Sequence, residues 1–242
     1  KKISNRPYQP PFQLEKEKAF LWNAAVLSRY TSELSRFVRA KQVFENLLLF
    51  AEIERALRKL NDIENEFGKS LWLVKNKILA LQLNGGLSDQ KAYVRELLGD
   101  ECNNRWFGLI VYYRSMFCEP NVPHDVMVTE FDPLSPGEQS VSDYCHYHLL
   151  PYFLLDVCST ESILAIEEHQ SVIDRFEAFV TMAMIEYARG NTSISGVVYR
   201  ASAQLRSVDD VRINNLLRLS EGLDPGLWTP MIDHAFDAYM SG

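Results

Sequence analysis

Leu71, Val74, Ile78 and Leu81 recur at helical spacing, and the pattern predicts an amphipathic helix. Gly85 and Gly86 offer the positive-φ positions that end a helix, and Ser88 can cap another beyond them, so residues 68–98 read as an antiparallel αα-hairpin. Upstream, Phe50, Ile53, Leu57, Leu60, Ile63 and Phe67 step by three or four residues through Arg, Lys and Glu. This stripe predicts one amphipathic helix over residues 43–67, stopped by Gly68. Residues 15–39 carry Phe20, Leu21, Val26, Leu27, Leu34 and Val38 and predict one or two further helices behind a Pro-containing arm at 1–12.

Leu98-Gly99-Asp100 reads as the next stop and start, and residues 101–117 are apolar almost all round, as expected of a central helix. The helical period is lost over 119–135, which holds Pro120, Pro123 and Pro133. That segment is the expected boundary between an N-terminal hairpin region, 1–118, and a C-terminal helical region, 136–242, within two domains or one continuous one. Ser135-Pro136-Gly137-Glu138 reads as a capping box that restarts a helix, and Pro151 should end it. Ser159 and Thr160 offer another start, followed by an apolar-periodic stretch from Ile163 to Tyr187 that Gly190 closes. Shorter helices are predicted at 194–206, at 208–220 behind Ser207-Val208-Asp209-Asp210, and from Thr229-Pro230 to Tyr239. Only 125–129 has any strand character, so the fold is predicted to be all-α, either stacked antiparallel hairpins or an irregular helical bundle.

A hydrophobic fraction of 47% over 242 residues is ample for a core, while no apolar run approaches the ~20 residues of a membrane span. The 25 basic and 32 acidic residues are interleaved, for a net charge of −7, which argues against a broad nucleic-acid footprint. Arg55, Arg58, Lys59, Lys69, Lys75 and Lys77 give a mild basic bias that neighbouring acids offset, as on a solvated face. Cys102, Cys118, Cys145 and Cys158 fit neither a CxxC metal site nor a disulfide framework, and they read as reduced thiols in a cytoplasmic protein. The N-terminus lacks the apolar core of a signal peptide. The chain begins without Met, and Gly242 directly follows a predicted helix, so a piece of a longer chain is expected.

Between Glu52 and Leu98 the sequence resembles tetratricopeptide-like repeats. Ala56 and Leu60 occupy packing positions of a second helix, Trp72 opens the next, and Leu81 and Gly85 fall at its closing turn. A Leu-Gly pair after the Trp is absent, Leu81 replaces Tyr, and Gln90 stands where Ala is usual. A fainter echo runs from Phe176 through Tyr187 and Gly190 to Ala203. The resemblance implies stacked helical hairpins that bind a protein or peptide along a concave surface.

Chemistry has few candidates. Gly68-Lys69-Ser70 looks like the tail of a phosphate loop, but Ile63 stands where its first Gly belongs. The densest ligand cluster is Asp143-Tyr144-Cys145-His146-Tyr147-His148, with His124 and Asp125 before it. On a helix His146 and His148 point about 200° apart and cannot share an ion. Tyr144, Tyr147, Tyr152 and Phe153 read as packing residues, and the acids Asp125, Glu130 and Asp132 as solvated. No nucleophile elbow, HExxH or Gly-rich dinucleotide turn occurs.

The expectation is a non-catalytic scaffold or adaptor that binds a protein or peptide, as a subunit or fragment of a larger assembly, with no catalytic residue, metal or cofactor. The alternative is a compact helical bundle with a small-molecule or metal pocket near 119–148, built from His124, Asp125, His146 or His148.

Overall fold

The computed structural model describes residues 14–101, 105–119, 139–149, 159–167, 170–190 and 192–220. Helix α1 spans Lys16–Leu27 and, after one 3-10 turn at Ser28–Tyr30, α2 spans Thr31–Leu49. Then come α3 (Ile53–Phe67), α4 (Leu71–Gly85), α5 (Leu87–Glu101), α6 (Arg105–Phe117), α7 (Gln139–Leu149) and α8 (Thr160–Glu167). The described chain closes with α9 (Val172–Ala188), α10 (Thr192–Ala203), a second 3-10 turn at Arg206–Val208, and α11 (Val211–Ser220). The fold is all-α, as the periodicity predicts: no strand occurs among the described residues. No helix there is long and apolar enough to cross a membrane.

Several boundaries differ from the sequence reading. The helix expected over 43–67 is two helices, because α2 ends at Leu49 and the chain reverses through Phe50, Ala51 and Glu52. A Schellman motif makes that turn: the Ala51 amide donates to Leu48 O at 2.9 Å and the Glu52 amide to Leu47 O at 2.8 Å. Ala51 takes the left-handed position at φ +55°, which glycine ordinarily fills. At the next hairpin only Gly86 has positive φ (+72°); Gly85 belongs to α4, and Ser88 lies inside α5 instead of capping it. Gly99 does not stop a helix either, since α5 continues to Glu101. The stretch from Ile163 to Tyr187 is broken before Val172, where Ser171 Oγ caps α9 by accepting from the Asp174 amide at 3.0 Å. Ser159 does start α8, accepting from the Ser162 amide. The boundary at 120–135, the 135–138 box, Pro151 and the 229–239 helix lie outside the described residues.

Helices α2 to α5 pack each against the next, whereas α1 packs mainly against α8, α9 and α10. Helix α9 touches α1, α2, α4, α8, α10 and α11, and it holds the enclosed position expected of residues 101–117. The larger core joins Phe20, Phe37, Phe44 and Leu60 to Phe176, Phe179 and Val198, so helices from both sides of 119–135 share it. Trp72 stands edge-on to Phe37 and Phe44 at 5.0 and 5.8 Å between ring centroids, and Phe20 meets Phe179 at 5.8 Å in the same manner. A smaller core of Val74, Ile78, Val94, Ile110, Val111 and Tyr144 lies between α4, α5, α6 and α7. Gln90 ties α5 to α6 there, donating to Ser115 O at 2.8 Å. Helix α4 walls both cores: Leu73 and Ala80 face the larger, and Leu71, Val74 and Ile78 the smaller.

The strained Ala51 gives a direct check. Ala51→Gly should raise unfolding stability by about 1 kcal/mol in chemical denaturation, because the left-handed penalty at this turn exceeds the entropy glycine adds to the unfolded chain.

Candidate functional site

The N-terminus of α4 lies where the two cores meet. Ser70 is buried and caps the helix, its Oγ accepting from the Leu73 amide at 3.1 Å. The two preceding amides are met from another helix: Leu71 N–H donates to Asp174 Oδ2 and Trp72 N–H to Asp174 Oδ1, both at 2.8 Å. Ser171 Oγ also donates to Asp174 Oδ2 at 2.8 Å, which fixes the carboxylate. Burial raises the Asp174 pKa, and the Trp72 and Leu71 amides offset part of that rise.

Beside this cap is a half-open pocket of about 300 Å³. Trp72, Lys75 and Asn76 of α4 form one wall, Asp174, Glu177 and Thr181 of α9 another, and Arg114 of α6 with Tyr147 and His148 of α7 close it. Lys75 Nζ lies 3.1 Å from His148 Nδ1, and His148 Nε2 lies 2.9 Å from Glu167 Oε1. An ammonium has no acceptor, so Nδ1 accepts and the neutral imidazole donates through Nε2 to Glu167. Burial, together with the nearby Arg114 charge, lowers the Lys75 pKa to about 8. Burial, then the Lys75 charge, pushes His148 well below its usual value, while burial and Asp174 push Glu167 well above its own. Both shifts favour an uncharged imidazole–carboxyl pair. The Tyr144 ring stands edge-on to His148 at 4.5 Å.

Glu177 is differently placed. Arg212 grips it with two parallel bonds of 2.9 Å, and Lys41 donates to Oε2 at 2.7 Å. Burial alone would raise its pKa, but Arg212 and Lys41 together hold it at about 2. Asp210, which also receives Arg212, keeps that guanidinium in place. Glu177 therefore joins α2, α9 and the start of α11. A second buried acid, Glu186, likewise gathers Lys16, Thr160 and Arg189.

Of the four residues singled out near 119–148, His124 and Asp125 lie outside the described residues, as do Tyr152, Phe153, Glu130, Asp132, Cys102 and Cys158. His148 lines the pocket; His146 is buried on the same helix and does not. Cys118 and Cys145 are free thiols, with burial pushing Cys145 up to about 12. Tyr144 packs in the smaller core. Lys75 was expected on a solvated face and instead turns into the pocket, and Lys77 pairs with Glu64 of α3 at 2.8 Å. Gly68-Lys69-Ser70 ends one helix and caps the next, with Gly68 at φ +82°. Sequence reasoning missed Arg114, Asp174, Glu177 and Arg212. Ser171-x-x-Asp174 was a local signal for the start of α9, but nothing in it tells that the carboxylate faces α4.

Over an alignment of 242 residues, 96% of the chain, the sequence is 21% identical to a protein of Enterobacter cloacae (strain JD6301) named Detocs histidine-protein kinase DtcA. The chain spans 21% of that relative's length. No protein-family model matches the chain, and no solved structure matches it.

Two outcomes follow from this geometry. Asp174→Ala strands two buried helix amides and should cost about 3 kcal/mol in denaturant unfolding, well beyond an ordinary surface substitution. The His148 imidazole should stay neutral as pH falls through 6.5, seen as constant ring shifts by NMR. Because the folded state then binds fewer protons than the unfolded state below pH 6.5, His148 should lower stability as the solution is acidified, and His148→Gln should flatten that slope.

Proposed function

We propose that the chain is a non-catalytic helical module that recognises another protein, working in the cytoplasm as part of a longer polypeptide. The observation that carries this reading is the pair Leu49 and Phe50, which are 81% and 77% exposed at the α2–α3 turn. Burying two such side chains against a partner is worth roughly 1.5–3 kcal/mol each. The short connections make α2 to α5 antiparallel, so the α4–α5 turn, with exposed Leu83 and Leu87, lies at the same end of the helices as Leu49 and Phe50. A row of apolar turn residues along one end of packed hairpins suits a protein surface better than a small molecule.

Two further points support the reading. Ala56 and Leu60, which carry part of the tetratricopeptide-like resemblance, are fully buried in the larger core, and the resemblance asks for packing residues at those positions. The relative is a protein kinase by name and far longer than the aligned region, which leaves room for catalytic parts elsewhere. A helical module of this kind joined to a kinase would supply it with a regulatory input. The module itself needs no cofactor.

The test is affinity purification of the tagged chain from its native cells, beside the double variant Leu49→Ser, Phe50→Ser. A stoichiometric protein partner held by the parent and lost by the variant, with helical circular dichroism unchanged, is the expected result. Equal recovery from both, or no stoichiometric partner from the parent, contradicts the proposal.

A further inference from the structure

We propose that the pocket between α4, α6, α7 and α9 binds a small oxyanion, its phosphate or carboxylate group seated between Lys75 and Arg114 and its organic part against Trp72 and Tyr147. The volume of about 300 Å³ sits at the lower end of small-molecule pockets, roughly 300–1,000 Å³, and excludes a folded partner. The sign of the ligand follows from which polar groups still have capacity. Both carboxylates of the wall are engaged: Asp174 by the Leu71 and Trp72 amides, Glu177 by Arg212 and Lys41. They have little left for a cation.

The donors are in the opposite condition. Lys75 carries three N–H groups as an ammonium and directs one to His148. Arg114 Nε is buried and has no hydrogen-bond partner. Two cations thus line one cavity, and the Arg114 charge adds to burial in depressing Lys75. An oxyanion between them relieves the cost on Lys75 and meets the Arg114 guanidinium in the fork geometry that it offers to carboxylate and phosphate. The aromatic wall is held in place, because Trp72 is fixed edge-on by Phe37 and Phe44. Neutral His148 accepts from Lys75 and so orients the amine without competing for the anion. The site is separate from the Leu49–Phe50 turn, and its existence does not depend on a protein partner.

The experiment is calorimetric titration of the 242-residue chain with phenyl phosphate and with benzoate at matched chloride, followed in parallel by the tryptophan indole N–H signals. At least one probe should saturate a single site, shifting the Trp72 signal and leaving that of exposed Trp22 unchanged. Phenyl phosphate binding tighter assigns the site to phosphates, and benzoate binding tighter assigns it to carboxylates. Arg114→Gln and Lys75→Gln should each weaken binding about tenfold or more, as loss of a charge-assisted hydrogen bond does, while exposed Lys18→Gln should not. The proposal fails if neither probe saturates by about 10 mM, a free energy weaker than ordinary recognition. It fails equally if the Trp72 signal stays still or if affinity survives Arg114→Gln.

Discussion

The Asp174 carboxylate is the constraint on which the remaining structure depends. A helix begins with four amides that have no partner within it, and burying them unpaired would cost more than most packing gains. The start of α4 is buried between two cores, and the amides of its first three residues are accounted for from outside the helical ladder: Leu71 and Trp72 by Asp174, Leu73 by Ser70 Oγ. The acceptor for the first two comes from 103 and 102 residues downstream. One side chain of α9 therefore sets where α4 starts and how closely the two helices approach.

The same registration builds the pocket. Asp174, Glu177 and Thr181 follow at i, i+3 and i+7 and so line one face of α9, opposite Trp72, Lys75 and Asn76 of α4. With Asp174 docked on the α4 terminus, Glu177 comes within reach of Lys41 and Arg212, and its charge is neutralised there. Lys75 is left one turn along α4, facing His148 and close to Arg114. A helix cap and a pocket that holds Lys75 and Arg114 are thus two results of one helix–helix contact. Because α2, α4 and α9 meet around it, the cavity is joined to the hairpins that carry the exposed turns by continuous packing.

What the sequence made legible was local. The stripe Leu60, Ile63 and Phe67 and the run Leu71, Val74, Ile78 announce α3 and α4 because their apolar period exceeds any competing pattern. Ser159 and Gly190 mark real helix ends for the same reason, their conformational demands being confined to a turn. The break at Ala51 was hidden, since alanine is a strong helix former and the Schellman turn overrides that preference through bonds to Leu47 and Leu48. Lys75 read as a solvated residue because an inward lysine and an outward one look alike in an interleaved charge pattern. Its partners, His148 and Arg114, come from α7 and α6, and no spacing rule links residues that only tertiary packing brings together.

The most direct test of this account is amide hydrogen exchange at Leu71 and Trp72. First-turn amides of a helix ordinarily exchange readily, having no partner in the helix. If Asp174 holds α4 to α9 in solution, both amides should be protected to the level of global unfolding, matching core positions such as Ile78. Rapid exchange at Leu71 and Trp72 while Ile78 stays protected would contradict the account, showing that α4 and α9 are packed without the carboxylate that joins them.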